Sequence, residues 1–233
     1  DDISLTFGDS DMWKAQHESS QGWVIPRVVL DQRFRELTSA YAEIRYETRV
    51  TNVRRNIDGS YGVTIRRRGR YEEEKLRCSA VILANGATGK FASDVGVSGA
   101  PLIGASITAY SELKEPDGLV FRFNESYLPG YSWVFPIGPG RVNVGVCALG
   151  QRNRKQLRQL GARLLGELEL DDSYQWRGGL GCLRSGAGTR WHDSGGIVSC
   201  GDAAGLVDPL SGEGISAALL SGHQAGKAVA SFT

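Results

Sequence analysis

Alternating apolar and polar positions dominate the first hundred residues and predict short β-strands. Strands are predicted at 3–7, 22–25, 45–55, 61–68 and 75–83. The pair Asp58-Gly59 predicts a hairpin turn between two of these strands. The last strand ends in the apolar run 80–84, and such an unbroken run is typical of a buried strand in a parallel sheet.

Strands also fill the stretch from 102 to 149, and helices follow it. The alternation there predicts an antiparallel sheet with strands at 105–110, 119–123, 131–136 and 141–148. Helices are predicted at 31–42, 153–168 and 212–232, with a short buried strand at 195–200. Together these elements predict an α/β fold of the mixed α+β type.

Composition places the chain among ordinary globular proteins. Of its 233 residues, 41% are hydrophobic and 23% charged, and the net charge is +1, so the overall field favours neither nucleic acid nor an anionic surface. No apolar run reaches the roughly 20 residues of a membrane helix. The four cysteines are far apart and the three histidines lack ligand spacing. This predicts a cytoplasmic protein with free thiols and without a metal site.

The residues from 196 to 215 carry the clearest chemical signal. The apolar strand predicted there ends at Gly201-Asp202, and a carboxylate at the carboxyl end of a strand lies where α/β sheets bind ligands. Pro209 fixes a turn, and Gly212 and Gly214 open the last helix with bare backbone. The N–H groups and the positive dipole end of that helix therefore face outward. Reduced flavin carries negative charge near its N1 atom and C2 oxygen and needs such an environment.

The spacing of this segment, strand–GDAAG–x2–DP–x2–GEGI–helix, resembles the FAD-binding GD motif of the flavoprotein superfamily that includes p-hydroxybenzoate hydroxylase and geranylgeranyl reductase. The resemblance implies that Asp202 binds the ribityl hydroxyls of FAD. It implies that the isoalloxazine ring is lined by Pro209, Gly212, Glu213, Gly214 and Ile215. Gly201 and Asp208 complete the cofactor-binding residues expected in this segment.

Two further stretches carry the same resemblance. The run 81–89 resembles the second FAD motif of the superfamily, a strand followed by Ala-Asp-Gly-Ala, and Asn85-Gly86 stand where Asp-Gly is typical. Asparagine keeps the acceptor oxygen of aspartate but not its charge. The stretch Val24-Ile25-Pro26-Arg27-x3-Asp31 resembles the segment that places an arginine, here Arg27, near the flavin.

The pyrophosphate-binding GxGxxG motif of the superfamily is not found in the sequence. Gly179-Leu180-Gly181 is followed by Arg184 where the last glycine would stand. The resemblance therefore implies that the first βαβ unit, and a C-terminal part of the substrate domain, lie outside these residues. We expect the chain on its own to bind FAD poorly and to be inactive.

One strand carries three aromatic residues and discriminates among members of the superfamily. Tyr131, Trp133 and Phe135 fall on one face of it, either as the wall of an apolar ligand cavity or as a face packed on the core. The stretch resembles the Y-x-W-x-F-P signature of the geranylgeranyl reductase family, followed by its turn and N-x-G strand at Asn143 and Gly145. The resemblance implies that the three aromatic residues bind the substrate.

The resemblance also implies a domain organisation. Residues 1–25 and 101–185 would form an antiparallel-sheet substrate domain. Residues 26–100 and 186–233 would form part of a Rossmann-like FAD-binding domain.

The activity that the resemblance implies is FAD-dependent reduction of the carbon–carbon double bonds of an isoprenoid (geranylgeranyl) group in lipid biosynthesis. Reduced FAD would deliver the hydride, and NADPH or a small redox protein would supply the electrons. No nucleic-acid partner is expected, and the basic run 66–70 leaves open a peripheral contact with a membrane. Two alternatives also stay open: an FAD-dependent aromatic-type monooxygenase, which shares the GD motif, and a non-catalytic remnant of a flavoprotein.

Overall fold

The chain divides into two compact units. The computed structural model describes residues 2–7, 11–16, 24–87, 89, 91, 101–113, 118–123, 125–127, 129–150, 154–170, 176–184, 192, 195–208 and 211–231. The first unit holds residues 1–44 and 104–179, and the second holds residues 45–103 and 180–233. Each unit has its own hydrophobic core.

Twelve strands and three helices make up the described part of the chain. In chain order they are β1 (Asp2–Phe7), β2 (Asp11–Gln16), α1 (Arg27–Ser39), β3 (Thr48–Arg55), β4 (Tyr61–Arg67), β5 (Glu73–Cys78), β6 (Val81–Leu83), β7 (Pro101–Glu112), β8 (Gly118–Phe123), β9 (Gly130–Gly138), β10 (Arg141–Leu149), α2 (Arg154–Glu167), β11 (Arg177–Arg184), β12 (Ile197–Ser199) and α3 (Ile215–Ala230). A single 3-10 turn, Gly201–Ala204, lies between β12 and α3.

A seven-stranded sheet, in the order β11-β7-β10-β9-β8-β1-β2, forms most of the first unit. The pairs from β7 through β8 are antiparallel, as the alternation predicted, whereas β1 runs parallel to β8. Alternate residues of β9 and β10 pack with α2 in the core, which includes Val134, Val142, Val144, Leu164 and Leu165. Burying each of these side chains stabilises the unit by about 1.5–3 kcal/mol.

The second unit combines the antiparallel sheet β3-β4-β5 with a parallel pair of strands, β6 and β12. The parallel strand expected from the apolar run 80–84 is confirmed at β6. A single strand over 75–83 was predicted, and that prediction is wrong: the chain leaves one sheet at Cys78 and enters the other at Val81. No glycine or proline marks the break, which lies at Ser79-Ala80, where the apolar run begins.

Helix α1 begins earlier than predicted. The apolar spacing predicted a helix at 31–42, but the helix runs from Arg27 to Ser39. Pro26, at φ −55°, directly precedes it, because the fixed φ of proline suits the start of a helix. Of the strand predicted at 22–25, residues 24 and 25 are not in a strand, and the other two lie outside the described residues.

The two units do not follow the predicted domain bounds at every point. Helix α1 was grouped with the FAD-binding part of the sequence, whereas it falls in the first unit with the seven-stranded sheet. The assignment of one unit to cofactor and the other to substrate stays a prediction.

The described ranges contain neither a membrane-spanning helix nor a cluster of metal-ligating side chains. No helix in them is both long and apolar enough to cross a bilayer. Nor do three or more His, Cys, Asp or Glu side chains come together there in the arrangement of a metal site.

Candidate functional site

Two of the predicted cofactor motifs meet at one edge of the parallel strand pair. β6 and β12 run in register, with Leu83 opposite Ser199 at their last residues. Parallel strands present their carboxyl ends at the same edge of a sheet, which is where α/β folds bind ligands. The segments Asn85-Gly86 and Gly201-Asp202 therefore both follow their strands at this edge of the second unit.

Gly201 docks the end of β12 onto helix α3. Its φ of +55° is a left-handed conformation that favours glycine, and a Cβ there would come 3.1 Å from the Cβ of Ala218. Its backbone N–H donates to Oγ of Ser221 at 3.0 Å, and that hydroxyl donates to the carbonyl of Ala217 at 2.6 Å. Ser221 is not identifiable from the sequence, because a serine among the small residues of a helix forms no motif.

Asp202 lies near the amino-terminal end of α3. It is half-buried, in the first turn of the 3-10 segment. A Cβ added to Gly214, the residue that precedes α3, would come 3.2 Å from Oδ1 of Asp202. The carboxylate therefore packs against bare backbone at the start of a helix, where the helix dipole favours negative charge. Two of the residues predicted to bind cofactor are thus brought into contact.

The loop between Asp202 and α3 is held by its own side chains. Oδ1 of Asp208 accepts hydrogen bonds from the N–H and the Oγ of Ser211, each at 2.7 Å. Oε1 of Glu213 accepts the backbone N–H of Ser216 at 2.7 Å and so caps the helix. The predicted contacts of these two carboxylates with a cofactor stay predictions. Pro209 lies outside the described residues.

The other residues predicted at this edge expose backbone or apolar surface. Gly212 and Gly86 have left-handed φ values of +69° and +75°. Ile215 opens α3 with a side chain that is 42% exposed. The amide of Asn85 folds against Gly89, where any side chain would collide with it. The asparagine that replaces the usual aspartate therefore packs within its own turn.

Arg27 belongs to the first unit, at the start of α1. Its Nε and Nη2 atoms donate to the two carboxylate oxygens of Asp31 at 3.0 and 3.2 Å. The R-x3-D spacing thus places an ion pair on one face of a helix, where it contributes about 0.3–0.5 kcal/mol. The predicted position of Arg27 near a flavin stays a prediction.

Aromatic side chains form a continuous surface on β9 and β8, which we call the aromatic face. The ring centroids of Tyr131 and Trp133 lie 6.0 Å apart, and those of Trp133 and Phe135 lie 6.1 Å apart with 30° between their planes. Phe121 meets Phe135 edge-on at 5.0 Å, and Phe123 meets Tyr131 at 5.5 Å. The core cluster that packs with α2 contains none of these five rings, since it lies on the alternate residues of β9, although Tyr131 is itself buried. The predicted shared face of β9 is therefore present and is separate from that cluster.

The polar groups on and beside the aromatic face form hydrogen bonds with one another and with the backbone of neighbouring strands. Nε1 of Trp133 donates to Oδ1 of Asn143 at 2.8 Å. Nδ2 of Asn143 donates to Oγ1 of Thr108 at 2.7 Å and to the carbonyl of Ala109 at 3.3 Å. The Thr108 hydroxyl donates to the carbonyl of Val144 at 3.0 Å. The indole and amide N–H groups are thus engaged within the protein, so the face offers mainly carbon to a ligand.

Cys78, Cys147 and Cys200 are free cysteines with buried or half-buried side chains. Burial raises the pKa of Cys78, Cys147 and Cys200 above the ordinary thiol value. For Cys147, hydrogen bonds from Tyr131 act in the opposite direction, but burial dominates. A thiol with a raised pKa is a poor nucleophile at neutral pH. These three side chains therefore lack the character of catalytic cysteines.

Comparison with known proteins identifies relatives along almost the whole chain, although no family model matches it. The chain is 29% identical over 249 residues to the menaquinone reductase of Mycolicibacterium smegmatis, covering 94% of this chain and 56% of that protein. It is 27% identical over 221 residues to the digeranylgeranylglycerophospholipid reductase of Methanocella arvoryzae, covering 90% of this chain and 55% of that protein. The chain spans about half the length of these curated relatives.

A solved structure shares the fold. A geranylgeranyl bacteriochlorophyll reductase-like protein from Thermoplasma acidophilum superposes with a TM-score of 0.82 at 24% identity, over 98% of this chain and 60% of that chain. This likeness confirms the mixed α/β fold class that the sequence predicted.

Proposed function

Since the chain resembles the geranylgeranyl reductase family of FAD-dependent oxidoreductases in its motifs and in the names of its curated relatives, we propose that it belongs to this family and that the protein saturates carbon–carbon double bonds of a prenyl lipid. The proposed reaction converts one double bond to a single bond by adding a hydride and a proton. NADPH or a small redox protein is the electron donor that we propose. Because prenyl lipids reside in membranes, the proposal includes a peripheral membrane contact by an otherwise cytoplasmic protein.

The cofactor part of the proposal rests on the edge shared by β6 and β12. Gly201 lets the end of β12 pack closely against Ala218 of α3, and the half-buried carboxylate of Asp202 lies against the bare backbone of Gly214. These features fit FAD, because a carboxylate accepts hydrogen bonds from ribityl hydroxyls and a helix start suits negative charge. We propose that Asp202 holds the ribityl chain and that the backbone at 212–214 holds the pyrimidine edge of the ring.

Bound and reduced, FAD supplies the hydride in this proposal. The tasks left to the side chains are to bind the prenyl chain, to orient it and to exclude water, because an isolated alkene carries no charge for a side chain to stabilise. No residue of this chain is assigned as the proton donor.

The aromatic face is the observation that carries the substrate class. Phe121, Tyr131, Trp133 and Phe135 contact one another across two strands, and the indole N–H is satisfied by Asn143. A ligand on this face would contact mainly carbon atoms, which suits a long isoprenoid chain. The face offers few polar groups that could orient the hydroxyl of a phenol. The face therefore favours a prenyl reductase over an aromatic-type monooxygenase. The names of the two curated relatives agree with a prenyl-lipid substrate.

The experiment is an anaerobic turnover assay on the intact protein. FAD-loaded protein is reduced with dithionite and mixed with a geranylgeranyl compound, and products are identified by mass spectrometry. The expected product gains two hydrogen atoms for each saturated bond. An oxygenated product that forms only in air would overturn the proposal and place the protein among the monooxygenases, and the absence of any product would overturn it as well.

A variant pair tests the aromatic face in the same assay. Trp133→Ala should lower prenyl turnover by about tenfold or more, the size expected for losing a well-packed aromatic contact of about 1.4 kcal/mol, while bound FAD changes little. Tyr41→Ala is the matched control, because Tyr41 is an aromatic residue with 93% of its surface exposed. Equal turnover in the two variants would exclude a role for the aromatic face.

A further inference from the structure

We propose that Asn143 and Gly145 are positioning residues for Trp133, which hold its indole flat across β10 and so keep the aromatic face continuous and apolar. The class of ligand in this inference, a prenyl lipid, is taken from the proposed function. The hold on the indole itself can be measured without any ligand.

Strand register places the indole directly over a glycine. Trp133 on β9, Gly145 on β10 and Thr108 on β7 are opposite one another across three adjacent strands. A Cβ on Gly145 would overlap Cζ2 of the indole and would come 2.6 Å from its Cε2 and Cη2 atoms. The φ of Gly145 is not in the left-handed region, so the backbone conformation there accepts any residue. It is the ring of Trp133 that excludes a side chain at this position.

The amide of Asn143 can be oriented in only one way. Its Nδ2 faces two acceptors, Oγ1 of Thr108 at 2.7 Å and the carbonyl of Ala109 at 3.3 Å. Its Oδ1 faces Nε1 of Trp133, which can only donate. Rotating the amide by half a turn would set two donors against each other at the indole. The strands β7 and β10 therefore present a fixed acceptor to Trp133.

Asparagine at position 143 and glycine at position 145 are residue types that are otherwise unfavourable in a strand. Asparagine is depleted in strands, and glycine within a strand weakens it, because it has no side chain to pack. Both stand at alternate positions of β10, both face the aromatic side, and both contact the same indole. A shared role in holding Trp133 accounts for both choices, whereas packing of β10 accounts for neither.

A double-mutant cycle tests the positioning role through binding. The affinity of the intact protein for geranylgeraniol is measured by equilibrium titration in four forms: wild type, Asn143→Leu, Trp133→Phe and the double variant. Asn143→Leu removes the acceptor at similar size, and we expect it to weaken binding by about 3- to 10-fold, as for a lost hydrogen bond. In the Trp133→Phe background, where the indole N–H is already absent, the same change should alter affinity by less than about 2-fold.

Two further variants separate positioning from general damage. Asn143→Asp keeps an acceptor for the indole but loses both bonds that Nδ2 donates, so Trp133→Phe should still change affinity in this background, unlike in Asn143→Leu. Asn52→Leu, an exposed asparagine on β3 of the other unit, is the matched control and should not change affinity. An effect of Asn143→Leu that is equal in both Trp133 backgrounds overturns the proposal.

Hydrogen exchange at the indole reports the hold on Trp133 without a ligand. The chain has five tryptophans, and Trp133→Phe assigns the Trp133 indole resonance in ¹⁵N-labelled protein. Its N–H should exchange about 3- to 10-fold faster in Asn143→Leu. Gly145→Ala should shift the same resonance, whereas Gly166→Ala should not, because nothing lies within 4 Å of a Cβ at Gly166.

The outcomes distinguish this inference from the proposed function. Unchanged indole exchange in Asn143→Leu overturns the positioning role, whatever the protein catalyses. Geranylgeraniol binding that follows the expected cycle, in a protein that does not reduce the compound, overturns the proposed reaction and upholds the inference.

Discussion

The backbone N–H of Gly201 donates to Oγ of Ser221 at 3.0 Å, and this bond joins the end of β12 to a helix residue 20 positions further along the chain. Gly201 is buried, so Ser221→Ala leaves a buried N–H without this acceptor. We expect the free energy of unfolding to fall by about 1–3 kcal/mol, as measured by urea titration. Because the bond anchors the turn that carries Asp202, FAD affinity of the intact protein should fall as well, by about 2- to 10-fold.

Ser231→Ala is the matched control for this prediction. The Ser231 hydroxyl donates to the carbonyl of Ala228 at 2.6 Å, within the end of the same helix, and Ser231 is exposed. Its removal should change stability by less than about 0.5 kcal/mol and leave FAD affinity unchanged. Equal losses in the two serine variants would show that Gly201 does not depend on the bond.

The carboxylate of Asp202 is the second target. If it binds the ribityl hydroxyls, Asp202→Ala removes hydrogen bonds to a charged acceptor, which are worth about 1.5–3 kcal/mol. FAD affinity of the intact protein, measured by flavin fluorescence titration, should then fall by about 10- to 150-fold. Asp202→Asn keeps one acceptor oxygen and should lose less. If purified Asp202→Ala retains as much flavin as the wild type, this role is refuted. The control is Asp58→Ala, because Asp58 is an exposed aspartate in the β3–β4 turn.

Close packing at the start of α3 leads to a third prediction. A Cβ at Gly214 would come 3.2 Å from Oδ1 of Asp202 and 3.3 Å from Cγ2 of Val207. Gly214→Ala should therefore displace the carboxylate and lower FAD affinity by about 2- to 10-fold. Gly226→Ala, in the same helix but with nothing within 4 Å of its Cβ, should keep FAD affinity. It should also raise the free energy of unfolding by up to about 1 kcal/mol. The prediction fails if both alanine variants retain FAD equally.

Burial of Cys147 predicts a loss of stability at high pH. Since burial raises the pKa of this thiol, the unfolded chain loses the proton at a lower pH than the folded protein does. The unfolded state then binds fewer protons, so the free energy of unfolding falls as the pH rises above about 8.5. Below that pH the contribution of the thiol is fully present. The measurement is urea unfolding at several pH values between 7.5 and 10.

Cys147→Ala isolates the thiol in this experiment. The variant loses packing by the same amount at every pH, so only its slope against pH reports the titration. We expect a shallower decline for Cys147→Ala than for the wild type above pH 8.5. Parallel curves would mean that the thiol has the same pKa in the folded and unfolded states.

Local periodicity is the part of this protein that the sequence determines by itself. Alternation at 131–136 and 141–148 predicts β9 and β10 and puts Tyr131, Trp133 and Phe135 on one face, because side chains of a strand alternate between its two faces. The apolar run at 80–84 likewise predicts the parallel strand β6. The spacing around Gly201-Asp202 predicts a strand, a turn and a helix in that order, and all three are present.

Elements without such periodicity could be identified only from the tertiary structure. Strands β2 and β11 were not predicted: β11 has the sequence RGGLGCLR, whose three glycines have little strand propensity. It forms because the edge of β7 offers it a partner. The end of β5 at Cys78 could not be identified either, because no glycine or proline separates β5 from the apolar run that forms β6.

The contacts of the candidate sites were likewise decided by tertiary structure alone. Trp133 meets Asn143 because β9 and β10 pair in one register, and a shift of one residue would turn the indole to the other face of the sheet. Gly201 meets Ser221 because α3 folds back onto the end of β12. A sequence records which side chains are able to donate and accept, but the partner of each one is set by strand register and helix packing between distant segments.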